Sequence, residues 1–188
     1  MQNETKEKKI KGTMVIDVVK TIRGFKDQPW EQYLSEDARR LLSEQILPSV
    51  WYQYGPVIEC IWAVYKLLGK SSPEVAKLWG KSNGRRLFET VYKNLAAEKD
   101  TVSALEKLEL ISSRAFSKGF SIESIKVDDK HYLVRLLDRD PQSEVICYLF
   151  QGWIEAIIEM TGGKNCRTVI KEKHWSGSAN TVIEAKWE

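Results

Sequence analysis

Up to about Ser117 the apolar positions recur at the three- and four-residue intervals of helices, and beyond it they alternate as strands require. Met14, Val15, Ile16, Val18, Val19 and Ile22 predict a first helix, opening after Lys11-Gly12-Thr13 and ending near Gly24. Ser35-Glu36-Asp37-Ala38 is an N-cap followed by acids, and its helix carries Leu41, Leu42 and Ile46 and stops before Pro48. Gly55-Pro56 opens a third helix that Gly69 closes. Between Pro56 and Gly69 only Glu59 and Lys66 are charged, so most of its sides are predicted to be buried. Ser72-Pro73-Glu74 combines a cap, a first-turn proline and an acid, and predicts a helix to about Ala97. A fifth helix is expected from about Thr101 to Ser117, closed by Gly119.

The remainder reads as hairpin, helix, hairpin. Phe120 to Val127 and His131 to Leu137 are strands joined by Asp128-Asp129-Lys130, with Tyr132, Val134 and Leu136 on one face. Asp140-Pro141 starts a helix from about Gln142 to Met160, which Gly162-Gly163 ends. Glu144, Gln151, Glu155 and Glu159 form its one polar stripe, and its other sides are apolar, so it is predicted to lie against the sheet. The last hairpin pairs Arg167–Trp175 with Thr181–Trp187, where Ile183, Ala185 and Trp187 share a face. The expected fold is α+β: about five N-terminal helices packed on a four-stranded antiparallel sheet. Every strand is expected after residue 118, within one domain over residues 11–188 that follows a flexible tail at 1–10.

Composition narrows the function classes. The 188 residues carry a formal net charge of +3, with basic and acidic residues interspersed. Lys6, Lys8, Lys9 and Lys11 are the one basic run and are mixed with Glu4 and Glu7, so no nucleic-acid footprint is expected. Cys60, Cys147 and Cys166 lack framework spacing and predict free thiols in a reducing cytoplasm. The N-terminus has Lys and Glu where an export signal needs an apolar stretch. The apolar helices are too short or too polar for membrane insertion.

Candidate chemistry is sparse. His131 and His174 are the only histidines, both in the predicted hairpins, and no HxxxH, CxxC, GxSxG, P-loop or GxGxxG spacing occurs. No metal, cofactor or catalytic residue is therefore expected, and the chain is read as no enzyme. Ala76, Gly80 and Gly84 fall at four-residue intervals and make a smooth helix face. That face either receives another helix or leaves a gap for a ligand. Trp79 adjoins it, and Trp62, Tyr65, Phe88, Phe150 and Trp153 could line an apolar pocket beside it. On the pocket reading, Gly80→Leu would fill the gap and leave the fold intact.

The chain resembles a family of uncharacterised bacterial proteins that share a fold with 4-vinyl reductase-type small-molecule-binding domains. Subunits of the transport protein particle (TRAPP) share that fold, and haem-NO-binding domains are distant relatives. Lys11-Gly12-Thr13, Trp51-Tyr52, Leu78-Trp79-Gly80, Gly84-Arg85-Arg86, the hairpin–helix–hairpin and Ala185-Lys186-Trp187 carry the resemblance. It implies helices on a four-stranded sheet, often a dimer through helices, and an apolar cavity that binds hydrophobic ligands in some relatives. Haem-binding relatives use a helical histidine and a Tyr-x-Ser-x-Arg motif, and this chain has neither. Two functions follow: a non-catalytic cytoplasmic ligand-binding or sensory domain for a hydrophobic small molecule, or a dimeric scaffold with a filled core. A homodimer is expected on either, because seven Trp and several nearly all-apolar helices exceed what one small sheet face covers.

Overall fold

Lys11 has extended backbone (φ −69°, ψ 140°) and Gly12 is already helical, so the first strand runs into the first helix without a loop. The computed structural model describes residues 7–97, 100–112, 117–137 and 140–188. They fall into two compact units, one over residues 7–71 and 117–120 and the other over the described residues of 72–112 and 121–188.

In the N-terminal unit, β1 (Lys9–Lys11) leads into α1 (Gly12–Gly24). Gly12 is required there, because a Cβ would stand 2.0 Å from the Leu47 carbonyl oxygen. Its N–H donates to the Val50 carbonyl at 2.8 Å. After a 3-10 turn at Trp30–Gln32 comes α2 (Glu36–Ser43), where the Ser35 hydroxyl accepts from the Ala38 N–H as predicted. Next come β2 (Trp51–Gln53) and α3 (Tyr54–Leu67). Helix α1 buries Val15, Val18, Val19 and Ile22, and α3 buries Val57, Ile58, Cys60, Ile61 and Val64. The Ser35 N–H donates to Glu59 Oε2 at 2.9 Å, so one of the two charges on α3 anchors the start of α2.

Strands β2 and β1 with β3 (Ser117–Lys118) make a small antiparallel sheet, pairing Ile10 with Tyr52 and Lys9 with Lys118. This corrects the expectation that every strand follows residue 118. Runs of two or three residues are too short for alternation to register. Strand β1 also begins inside the segment read as a tail, of which residues 1–6 lie outside the described residues.

The C-terminal unit opens with α4 (Pro73–Thr90), α5 (Lys93–Ala96) and α6 (Thr101–Ile111). The helix expected to reach Ala97 ends at Thr90, and the one expected to reach Ser117 ends by Ile111, with residues 113–116 outside the described set. Strands β4 (Ile122–Asp128) and β5 (His131–Leu136) form the first hairpin. Asp140 caps a 3-10 turn at Pro141–Ser143, and α7 (Glu144–Met160) follows two residues later than expected. Strands β6 (Arg167–Glu172) and β7 (Thr181–Lys186) form the second hairpin. The region read as the end of its first strand is instead a 3-10 turn, His174–Ser176, closed by Gly177 at φ 100°. The four strands lie antiparallel in the order β4-β5-β7-β6, the α+β arrangement expected. Tyr132, Val134, Leu136, Ile183 and Ala185 form a buried face, and α7 contacts both β6 and β7.

Candidate functional site

The residues singled out in the sequence fall in both units. Trp62 and Tyr65 lie on α3 of the N-terminal unit, their rings edge to face at 5.4 Å, and the Tyr65 hydroxyl donates to the Ser71 carbonyl at 2.8 Å. Ala76, Trp79, Gly80, Gly84 and Phe88 lie on α4, and Phe150 and Trp153 on α7, all in the C-terminal unit.

The small-residue face of α4 receives α7. A Cβ on Gly80 would stand 2.1 Å from the Leu149 carbonyl oxygen, and one on Gly84 2.9 Å from Trp153 Cδ1. From the other side, a Cβ on Gly152 would stand 2.0 Å from the Lys77 carbonyl oxygen and 2.4 Å from the Lys81 nitrogen. Three glycines thus let two backbones meet, and of the two uses the sequence left open for this face the crossing takes it. The expectation that Gly80→Leu fills a gap and spares the fold is corrected with it. Beside the crossing, Trp153 packs against Phe88 (6.5 Å, edge to face) and Phe150 (5.9 Å), with Phe88 fully buried and Trp153 half-buried.

One flank of the crossing is ionic. Lys77, Lys81 and Arg85 run along α4 at the same four-residue interval as Gln151, Glu155 and Glu159 on α7. Lys77 Nζ reaches Glu155 Oε1 at 3.1 Å, Lys81 Nζ reaches Glu155 Oε2 at 3.4 Å and Glu159 Oε1 at 2.6 Å, and Arg85 reaches Glu159 Oε2 at 2.7 Å. The Thr168 hydroxyl donates to Glu155 Oε1 at 2.6 Å, and Gln151 Nε2 donates to the Thr168 carbonyl at 2.9 Å. Burial pushes the Glu155 carboxyl up, but the Thr168 hydroxyl and Lys77, then Lys81, outweigh it and hold the group below its ordinary range. The polar stripe read on α7 is therefore an internal seam at Gln151 and Glu155, both buried. The matching lysine spacing on α4 was the signal that could have shown it.

Both histidines are engaged within the C-terminal unit. His131 Nε2 lies 2.9 Å from Glu184 Oε1. His174 Nδ1 lies 2.7 Å from Thr181 Oγ1, and its Nε2 2.9 Å from the Asp140 carbonyl oxygen. All three cysteines are free thiols. Burial pushes the Cys60 thiol up to about 12, with Glu59 adding to it. Burial, then Glu155 and Glu159, does the same for Cys166. Thiolate is the reactive form, so alkylation of both by iodoacetamide at pH 8 is expected to be orders of magnitude slower than of a free thiol. Mass spectrometry of a timed reaction checks this. Among the described residues no group of three or more His, Cys, Asp and Glu could hold a metal ion. No helix among them is long and apolar enough to cross a membrane.

No protein-family profile and no curated protein matches the chain. Solved structures do match, and H-NOX domains are among them. An H-NOX protein from S. oneidensis in the Fe(II)NO ligation state aligns with TM-score 0.70 at 11% identity, covering 95% of this chain and 99% of that one. An oxygen-binding H-NOX domain related to soluble guanylate cyclases aligns at 0.63 and 14%, covering 95% of each. A mutant form of the T. Tengcongensis H-NOX aligns at 0.61 and 17%, covering 95% of this chain and 98% of that one. The likeness spans nearly the whole of both chains, and at these identities it is a likeness of fold. Haem-NO-binding domains, the distant relatives in the resemblance, are thus among the solved structures that share this fold.

Proposed function

We propose that this chain is a non-catalytic sensory domain that takes a hydrophobic small molecule, held against the half-buried ring of Trp153, which Phe88 and Phe150 back beside the α4–α7 crossing. The observation that carries the reading is the H-NOX fold over 95% of the chain. The counterparts are described as holding NO or oxygen, so binding of a small ligand is a use to which this fold is put. Rigid aromatic rings beside a backbone crossing that cannot shift suit a preformed apolar site. A reducing cytoplasm is its proposed setting, from the three free thiols.

The residues do not fit a histidine-ligated haem. Such an iron needs an imidazole nitrogen free to bind it. Both nitrogens of His174 are given to Thr181 and the Asp140 carbonyl, and His131 stands on strand β5, with its Nε2 against Glu184, where the haem-binding relatives use a helical histidine. The proposed ligand is accordingly organic and not an iron-bound gas.

Native mass spectrometry of the purified protein, with a haemin titration alongside, tests this. The expected result is a copurified small molecule, or saturable uptake of an apolar dye that Trp153→Ala weakens, and no sharp Soret band. A stoichiometric Soret complex, or a protein that takes neither molecule nor dye, would overturn it.

A second reading, a dimeric scaffold with a filled core, is favoured by the way α7 fills the face of Gly80 and Gly84. On that reading sedimentation gives twice the 21.7 kDa chain mass, and no dye is taken up.

A further inference from the structure

The N-terminal unit has a cleft of about 480 Å³ that the proposed function does not use. It is lined by the segment between α1 and α2 and by α2 itself. Its size is that of small-molecule sites, which run roughly from 300 to 1,000 Å³. Trp30 and Leu34, 9% and 5% exposed, supply an apolar lining. The Trp30 indole N–H donates to the Phe25 carbonyl at 2.7 Å, which fixes the ring within the 3-10 turn.

Lys26, Glu31, Gln32 and Arg39 line the same cleft, and all four are exposed. Among the described residues neither Lys26 nor Arg39 is paired with a carboxylate, whereas the neighbouring Arg40 is paired with Asp37 at 2.7 Å. The charged lining therefore sums to one net positive charge. Charge at a concave site with an apolar wall focuses the field and attracts counter-ions. A guanidinium adds a planar fork of donors that matches carboxylate or phosphate.

We infer that this cleft binds a small amphipathic anion, with an aromatic or aliphatic body against Trp30 and Leu34 and a carboxylate or phosphate end held by Arg39 and Lys26. The site lies wholly within the N-terminal unit. Its occupancy is independent of whether the C-terminal unit binds an apolar molecule.

Phenyl phosphate is a suitable probe, titrated into the full chain while the Trp30 indole N–H is followed by ¹H–¹⁵N NMR. A saturable shift at Trp30 is expected. It should exceed the response to inorganic phosphate, which lacks the apolar body, and to phenol, which lacks the charge. Arg39→Gln and Lys26→Gln remove exposed side chains that hold no structural partner, so both variants should fold. Each is expected to weaken phenyl phosphate about tenfold, the loss of one charge-assisted contact. The inference is overturned if Trp30 does not shift at millimolar probe, or if both variants bind as the parent does. It is equally overturned if phosphate or phenol alone reproduces the response, or if the shifts gather at Trp153 and leave Trp30 unmoved.

Discussion

Alanine in place of Gly152 is expected to lower the melting temperature by roughly 6–12 °C, the consequence of about 3 kcal/mol of overpacking. The added methyl would meet the Lys77 carbonyl oxygen at 2.0 Å and the Lys81 nitrogen at 2.4 Å. Both are backbone atoms within α4, so no side-chain rotation relieves the contact and the helices must separate. Separation would also stretch the Lys77–Glu155 and Lys81–Glu155 pairs on the same flank. Gly80→Leu meets the Leu149 backbone in the same way and is expected to unfold the C-terminal unit. Gly55→Ala is the control: nothing lies within 4 Å of its added methyl, and removing a glycine there should be neutral or stabilise by about 0.5 kcal/mol. Thermal melts of the three variants decide the matter. A Gly152→Ala protein that melts with the parent would show that α4 and α7 do not cross at this point.

Glu155→Gln should cost about 3 kcal/mol at pH 7, the usual penalty for removing one partner of a buried ion pair. The carboxylate is 6% exposed and takes bonds from Lys77, Lys81 and Thr168. Glutamine keeps the shape but supplies no charge, which leaves Lys77 facing a neutral amide. The pH dependence follows from the direction of the shift. A carboxyl held below its ordinary 4.5 is ionised more readily folded than unfolded. Its contribution is therefore complete above 4.5 and is lost as the pH falls through the lowered folded value. The gap in stability between parent and Glu155→Gln should accordingly be widest near neutrality and narrow steadily on acidification below 4.5. Urea denaturation of both proteins at about pH 7, 4 and 3 measures it, and a gap that stays constant over that range would remove Glu155 from acid sensitivity.

Long elements were readable because their signals agree with their packing. Ser35 and Ser72 cap α2 and α4, and Asp100 caps α6, each through its own side chain. The alternation at Tyr132, Val134 and Leu136 is the buried face observed. What escaped is short or depends on a distant partner. Lys9–Lys11 and Trp51–Gln53 become strands only by pairing with each other, which local periodicity does not register. Helix α4 ends at Thr90 with no glycine or proline to mark it. The α7 stripe was legible as polar, but its partners, Lys77 and Lys81 on Glu155 and the Thr168 carbonyl on Gln151, lie on other elements that local spacing does not bring together. The smooth face of Ala76, Gly80 and Gly84 was legible as a close approach, and its occupant, the backbone at Leu149 and Gly152, was not. The cleft beside Trp30 is built from an irregular segment, where no period announces a concavity.

The place of β7 between β5 and β6 governs when the sheet can exist during synthesis. The β4–β5 hairpin leaves the ribosome with the β5 rim bare, and the strand that covers that rim follows only after α7 and β6 have been made. At ordinary elongation rates the interval from Leu136 to Thr181 lasts several seconds, far longer than a hairpin or helix takes to form. Throughout it Tyr132, Val134 and Leu136 have no Ile183 or Ala185 beside them, so the nascent chain offers an apolar strand edge to whatever binds such edges. A chaperone's claim on this protein should therefore end abruptly once Lys186 has emerged.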